Sequence, residues 1–86
     1  MPVSNKTWFV YILRCADGTL YTGCSNDVAA RLKNHNAGSG AKYTRGRGPV
    51  EVVYKEKCKD RSEAQKRESE IKKLQREEKI ILIKNR

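Results

Sequence analysis

Features that mark several common protein classes are missing from this 86-residue sequence. No apolar run is long enough to span a bilayer, and Met1–Asn5 lacks the apolar stretch of a secretory signal. The sequence also contains no Walker-type loop, no histidine pair with metal-ligand spacing and no Ser/His/Asp arrangement. These absences exclude the nucleotide-binding, zinc-protease and serine-hydrolase sites that such motifs mark, and they predict a cytoplasmic protein without membrane contact.

Cysteine is scarce, and its three copies, Cys15, Cys24 and Cys58, contain no C-x-x-C pair. An odd number of unpaired cysteines argues against structural disulfides, and reduced thiols agree with a cytoplasmic location. A zinc site of these cysteines with His35 is the alternative, but structural zinc sites normally draw their ligands from closely spaced pairs. We therefore do not expect zinc.

Acidic residues are in the minority. Nineteen Lys and Arg against ten Asp and Glu give a net charge of +9 and a pI of about 9.8. The general explanation is a self-repelling, soluble surface, and the more specific one is a polyanionic partner such as nucleic acid. Apolar residues make up only 37% but cluster into periodic segments. This clustering predicts one folded domain over residues 1–86, monomeric or weakly dimeric.

Two segments, Thr7–Cys15 and Leu20–Cys24, are predicted to form a β-hairpin because they are rich in aromatic and β-branched residues on either side of a turn. A two-residue loop would place Tyr11 and Tyr21 on opposite faces, whereas a three-residue loop places them together. The lone Gly18 at the end of the turn favours the longer loop, with this glycine in the left-handed conformation. The shared face then carries Tyr11, Leu13, Tyr21 and Gly23.

Helix and strand signals continue along the chain. Cap residues before Val28 predict a helix over Val28–Asn36, and Val50–Glu56 alternates as a third strand. The segment Asp60–Glu63 resembles a capping box and predicts a second helix through about Lys73. A short third helix is expected over about 76–84, either separate from the second or continuous with it. Between the first helix and the third strand lies a glycine-rich basic loop that contains Lys42, Arg45 and Arg47.

Charged residues interrupt the apolar faces of the first two helices. In the first helix, Arg31 and His35 share with Val28 and Leu32 the spacing of a buried stripe. Either Arg31 extends its charge to solvent and His35 lies at an edge, or both line a cleft that holds a phosphate. In the second helix, Glu68 lies in the middle of the inward face, where it requires a cationic partner such as Arg31, or a Mg²⁺ ion.

With these residues identified, the chain resembles the GIY-YIG endonuclease domain. Phe9-Val10-Tyr11 stands where the first tripeptide of that family belongs, and Tyr21-Thr22-Gly23 matches the second. The helix residues Arg31 and His35 and the carboxylate Glu68 follow in the expected order. The likeness extends over about residues 7–74 and is strongest to small stand-alone bacterial members that lack a separate DNA-binding domain.

The resemblance implies an α+β fold, in which two or three helices flank a small three-stranded antiparallel sheet. It also implies a metal-dependent endonuclease that hydrolyses DNA phosphodiester bonds with one Mg²⁺ or Mn²⁺ ion. Branched or damaged DNA, as in DNA repair, is among the substrates that fit, and RNA is an open alternative. By position, Glu68 would ligate the metal, Arg31 would neutralise the phosphoryl group, and the tyrosines would position or deprotonate water with help from His35.

The chain departs from the family pattern at two points. The first tripeptide keeps only its tyrosine, and the loss of its other two residues affects packing. Cys24 stands where many members have a basic residue, so a phosphate contact is lost at this position. The competing hypothesis is therefore a nucleic-acid-binding module on the same scaffold with weak or no cleavage, bound through Lys42, Arg45 and Arg47 and through basic helix faces. A purely structural role would instead predict that removal of the Glu68 carboxylate raises stability.

Overall fold

The computed structural model describes residues 7–36 and 49–85. Within these ranges the chain forms three strands and three helices, in the order β1 Trp8–Arg14, β2 Leu20–Ser25, α1 Val28–Asn36, β3 Glu51–Cys58, α2 Arg61–Lys72 and α3 Arg76–Lys84. The strands form one antiparallel sheet with the order β2-β1-β3, so that β1 is central. The predicted α+β fold, a three-stranded antiparallel sheet with flanking helices, is confirmed.

Side chains at the helix starts explain where the helices begin. The Asp27 carboxylate accepts a hydrogen bond from the Ala30 backbone N–H at 3.1 Å and caps α1. Asp60 caps α2 in the same way, accepting from Glu63 N–H at 2.9 Å. The Glu63 carboxylate accepts from Lys59 N–H, one residue earlier than in the reciprocal capping box that the sequence predicted.

Helix α3 is separate from α2. Lys73 ends α2, and Gln75 opens α3 with a reciprocal capping box in which the Glu78 carboxylate accepts from the Gln75 backbone N–H at 2.8 Å. The sequence had left open whether the two helices were continuous. None of the helices in the described ranges combines the length and the apolar composition that a membrane span requires.

The sheet buries both of its faces, one under α1 and the other under α2 and α3. The α1 side contains the buried residues Tyr11, Leu13, Cys15 and Val50, with Val28 and Leu32 of α1 packed on them. The opposite side contains the buried residues Val10, Ile12, Tyr54, Cys58, Ala64 and Ile71, with Leu74, Leu82 and Ile83 from the helical layer. Residues that alternate along β1 therefore serve two different cores.

A one-residue shift in register sets which residues of β3 face each core. Ile12 pairs with Tyr54, but the next residue, Leu13, pairs with Val52. Val53 is therefore the extra residue of a β-bulge between β1 and β3. Because of this shift, Val52 packs on the α1 side and Tyr54 on the α2 side.

Candidate active site

The hairpin brings the two motif tyrosines to one face of the sheet. Tyr11 pairs with Gly23, and Leu13 pairs with Tyr21, which is the register that a three-residue loop requires. The loop is closed by hydrogen bonds from Cys15 N–H to the Thr19 carbonyl at 2.8 Å and from Gly18 N–H to the Cys15 carbonyl at 2.9 Å. Gly18 has φ +86°, the left-handed conformation that glycine adopts without strain. The predicted bulged loop and the shared face are thus both present.

Tyr11 extends across Gly23 toward the outer edge of β2. A Cβ atom at position 23 would lie only 2.7 Å from the Tyr11 hydroxyl oxygen and 2.9 Å from the ring carbon that bears it. A side chain at this position would therefore displace the tyrosine, which is a packing reason for glycine in the second tripeptide. Tyr11 is buried, with only 3% of its surface exposed. Burial and the neighbouring Tyr21 raise the pKa of Tyr11 to about 12, although the Arg31 charge lowers it.

Helix α1 places Arg31 and His35 beside these tyrosines. His35 is not an edge residue, since it is buried and its ring lies 5.2 Å from that of Tyr21, centroid to centroid. Burial and the Arg31 charge lower the pKa of His35, so its imidazole is neutral at pH 7. Arg31 itself is exposed, although its charge influences both Tyr11 and His35.

Glu68 approaches strand β2 from the opposite face of the sheet, the face covered by α2. Its side chain is 21% exposed and lies on the same face of α2 as the buried Ala64 and Ile71, the inward face that the sequence predicted. Its cationic partner is Lys72, with Lys72 Nζ 2.6 Å from Glu68 Oε2, and not Arg31. The Cys24 thiol is a further neighbour: burial, followed by the Glu68 carboxylate, raises the pKa of Cys24 to about 11.

The five predicted residues surround β2, which is an edge strand. Tyr11, Tyr21, Arg31 and His35 lie on the α1 side, whereas Glu68 reaches the same strand from α2. Electrostatic influence connects the two sides, because Glu68 and Arg31 both act on the pKa of Tyr11. The other predicted group, the nucleic-acid-binding residues Lys42, Arg45 and Arg47, lies outside the described residues.

The described part of the site lies along the edge strand β2, with Arg31 exposed. A cavity of about 600 Å³ lies beside the hairpin turn and residues 49–51, and the described residues that line it include none of the five predicted site residues. An open edge admits a polymer such as a nucleic acid strand more readily than a closed cavity does.

The donor set at this edge suits a hard metal ion better than zinc. No group of three or more His, Cys, Asp or Glu side chains in residues 7–36 and 49–85 is arranged to hold a metal. Glu68 is a single, partly exposed carboxylate with a tyrosine hydroxyl nearby. Mg²⁺ commonly takes one or two carboxylates and keeps several waters, so this donor set fits it.

Lys72 is the site neighbour that sequence reasoning missed. Its spacing from Glu68 is that of an ordinary i,i+4 pair on a solvent-exposed helix face, so the pattern carried no functional signal. Besides the ion pair, Lys72 is close enough to Tyr21 and Cys24 for both to affect it, and the pKa of Lys72 is raised mainly by its hydrogen bond to Glu68. A cation therefore lies close to Cys24, although it comes from α2 and not from the strand.

Comparison with known proteins places the chain among small bacterial relatives. The GIY-YIG catalytic domain profile matches residues 7–80. A UPF0213 protein of Desulfotalea psychrophila is 56% identical over 81 residues, which cover 93% of this chain and 74% of that protein. A UPF0213 protein of Staphylococcus aureus is 56% identical over 78 residues, which cover 91% of this chain and 95% of that protein.

Two solved structures have a similar backbone. The solution NMR structure of the UPF0213 protein BH0048 from Bacillus halodurans is 45% identical, with a TM-score of 0.61 over 93% of this chain and 85% of the other. The NMR structure of EF2693 from E. faecalis is 43% identical, with a TM-score of 0.64 over the same shares. Similarity in sequence and in backbone therefore extends over nearly the whole chain.

Proposed function

This chain belongs to the GIY-YIG family, as its motifs predicted, and on that premise we propose that it is a metal-dependent endonuclease that hydrolyses phosphodiester bonds in DNA. The GIY-YIG catalytic domain is a nuclease fold. The observation that carries the proposal is the grouping of two tyrosines, an arginine, a neutral histidine and a carboxylate around one open strand edge.

Glu68 would hold the metal, with water and substrate oxygens as the remaining ligands. A bound Mg²⁺ or Mn²⁺ supplies positive charge that polarises the phosphate and stabilises the leaving oxygen. Lys72 occupies one carboxylate oxygen of Glu68 in the structure described, so metal binding has to displace its ammonium group from that oxygen.

Arg31 would bind the phosphate to be cleaved. Its guanidinium is exposed, and it lies close enough to Tyr11 and His35 for its charge to affect both. Arginine keeps its charge at every physiological pH and matches phosphate oxygens with two parallel donors. It therefore stabilises the negative charge that increases on the equatorial oxygens during transfer.

Tyr21 is better suited than Tyr11 to accept the proton of the attacking water. Tyr11 is buried and keeps its own proton up to a pKa of about 12, so at neutral pH its hydroxyl donates a hydrogen bond. Tyr21 is less buried and contacts the neutral His35 ring, which has the capacity to take a proton. The water oxygen would bond to phosphorus while the bond to the leaving oxygen breaks, and the water proton would pass by way of Tyr21 to His35. The leaving oxygen would depart as an alkoxide and take a proton from solvent.

The test is a cleavage assay on labelled single-stranded, duplex and branched DNA with Mg²⁺, with Mn²⁺ and with EDTA. Glu68→Ala and Arg31→Ala are compared with the unmodified protein after circular dichroism has shown that both are folded. Lys66→Gln is a matched surface control, because this exposed residue lies about 200° around the helix axis from Glu68. We expect metal-dependent cleavage that Lys66→Gln retains and that the other two variants lose.

The alternative function gives a different result. Salt-sensitive binding to all three DNA forms, without cleavage in either metal, would identify a nucleic-acid-binding module and refute the nuclease proposal. Equal cleavage by Glu68→Ala and the unmodified protein would refute the metal-binding role of Glu68.

A further inference from the structure

A basic groove opens between β2 and the two C-terminal helices, next to the candidate active site. The groove has a volume of about 300 Å³ and is lined by Leu20, Tyr21, Thr22, Lys72 and Lys79. We propose that this α3 groove is a second phosphate-binding subsite, which takes a phosphodiester of the bound strand adjacent to the one that is cleaved. The inference rests on the proposed nuclease function, because it assigns the groove to the same substrate strand.

The charge of the groove favours an anion. Lys79 forms no hydrogen bond or ion pair through its ammonium group with any residue in the described ranges. Lys72 is the second cation, and the only carboxylate it pairs with in those ranges is Glu68. If Glu68 held a metal, Lys72 would lose this partner, and both lysines would face the groove without a carboxylate partner in the described ranges. Two free ammonium groups beside one cavity attract a phosphate group.

Thr22 adds a polar group that has no partner. Its side chain is buried, with 3% of the residue exposed, and its hydroxyl forms no hydrogen bond in the structure described. A buried hydroxyl without a partner costs about 1–3 kcal/mol, so proteins seldom retain one without a reason. Thr22 lines the α3 groove, so its hydroxyl is available to a ligand oxygen there.

The position of α3 is fixed by contacts that do not involve the groove cations. The capping box at Gln75 sets the start of the helix, and Arg76 Nη1 donates to the Gly18 carbonyl of the hairpin turn at 2.9 Å. Lys79 follows Arg76 by three residues, so both lie on the same side of the helix, and both line a second, smaller cavity of about 200 Å³. The cationic surface is thus continuous along the edge of the sheet.

The groove and the active site share two residues. Tyr21 contacts His35 on one side and lines the groove on the other, and Lys72 pairs with Glu68 while lining the same groove. A nucleic acid strand with its scissile phosphate at Arg31 and Glu68 therefore passes the groove with an adjacent phosphate. Phosphate contacts of this kind fix the register of the strand without reading its sequence.

The experiment measures binding separately from cleavage. The full chain is titrated against a labelled single-stranded DNA in EDTA at several salt concentrations, with Lys79→Gln as the test variant and Lys66→Gln as the control. We expect Lys79→Gln to weaken binding about three- to tenfold and to lower the slope of log affinity against log salt by about 0.7, the loss of one phosphate contact. Lys66→Gln should match the unmodified protein.

A second measurement identifies the phosphate. Each phosphate of the same DNA is replaced in turn by a neutral methylphosphonate, and binding is measured to the unmodified protein and to Lys79→Gln. We expect one position at which the replacement weakens binding to the unmodified protein but has no effect with Lys79→Gln. Such a coupling would not arise from a purely structural role of the lysine.

The outcomes separate this proposal from the proposed function. If Lys79→Gln binds like Lys66→Gln, or if every methylphosphonate acts equally on both proteins, the subsite is refuted even when the protein cleaves DNA. If the coupled phosphate is found but no substrate is cleaved with Mg²⁺ or Mn²⁺, the subsite stands and the nuclease function fails.

Discussion

Arg67 and Glu68 are neighbours in α2, and their ion pairs differ in how they are held. Arg67 crosses from the helix to β3, where its Nε lies 3.1 and 3.0 Å from the two carboxylate oxygens of Glu56. Arg67 Nη1 also donates to Glu70 at 3.1 Å, and the Tyr54 hydroxyl donates to Glu56. Glu68, the next residue, pairs with Lys72 of its own helix through a single contact of 2.6 Å.

The difference distinguishes an ion pair that stabilises the fold from one whose carboxylate is free to change its partner. The pair between Arg67 and Glu56 joins two elements, and both side chains are about one-third exposed, at 33% and 30%. Each carboxylate oxygen of Glu56 has a donor, so exchange of partners would break several hydrogen bonds at once. Glu68 is more buried than its lysine, which is 52% exposed and flexible. Under the proposed metal-binding role, its carboxylate would exchange the lysine for a metal with little loss of structure.

The comparison is tested most strongly by neutralising Glu68 and Glu56 in separate variants. We expect Glu68→Gln to reduce metal-dependent cleavage at least about 100-fold, because its carboxylate charge is needed for the metal. Its unfolding free energy should change by less than about 0.5 kcal/mol, the value of an exposed i,i+4 pair.

Glu56→Gln should have the opposite profile. It leaves the Arg67 charge with Glu70 alone, and we expect a loss of about 1 kcal/mol in unfolding free energy, a value that allows for partial exposure. Urea titrations and cleavage rates per folded molecule measure both effects. Similar profiles for the two variants would contradict the division between a structural and a functional pair.

Gly23→Ala tests the candidate active site through the position of Tyr11. The added Cβ would lie 2.7 Å from the Tyr11 hydroxyl oxygen, so the ring has to move. A displacement of about 1 Å at a catalytic group lowers the rate by roughly 10- to 100-fold, and we expect cleavage to fall within this range. Ile71→Val, a core variant that costs about 1 kcal/mol, controls for lost stability, and equal rates in the two variants would rule out the displacement.

The exchangeable character of the Glu68 pair is tested by removing its lysine. If Lys72 competes with the metal, Lys72→Met should bind Mn²⁺ about two- to fivefold more tightly than the unmodified protein, since an exposed ion pair is worth up to about 1 kcal/mol. Calorimetric titration without nucleic acid measures this affinity. Lys66→Met serves as the control, and weaker binding by Lys72→Met would mean that the lysine assists the metal site.

The smallest expected effect is the pH dependence caused by His35. Its pKa is lowered from 6.5 in the folded state, so the unfolded chain binds more protons as the pH falls through this value. The stability that a neutral His35 contributes is therefore complete above about pH 6.5 and is lost at lower pH. Melting temperatures between pH 7.5 and 5 should fall less in His35→Gln than in the unmodified protein, and parallel curves would contradict this assignment.

Local signals predicted the fold and the hairpin side of the site. The lone Gly18 determined the loop length and thereby the shared face of Tyr11 and Tyr21, and cap residues determined the helix starts. These features depend on residues that are neighbours in the chain, so sequence patterns report them. The roles of the five predicted site residues remain predictions.

Contacts between distant segments were not predicted. The pairing of Arg67 with Glu56 joins residues 11 apart on different elements, and no local pattern indicated it. The shift in register at Val53 also lacks a turn or glycine signal. The approach of Glu68 to Cys24 of β2 also depends on how α2 packs on the sheet, which no local pattern reports.

The hydrogen bond from Arg76 to the Gly18 carbonyl has a consequence for how the chain can vary. The length of the hairpin turn is fixed twice, once by the sheet that it closes and once by the helix that is attached to it 58 residues later. An insertion in this turn would disturb the hairpin register and also move the carbonyl away from α3. Substitutions at the turn and in the C-terminal helix should therefore covary among related proteins. A relative with a longer turn would need another contact to hold that helix in place.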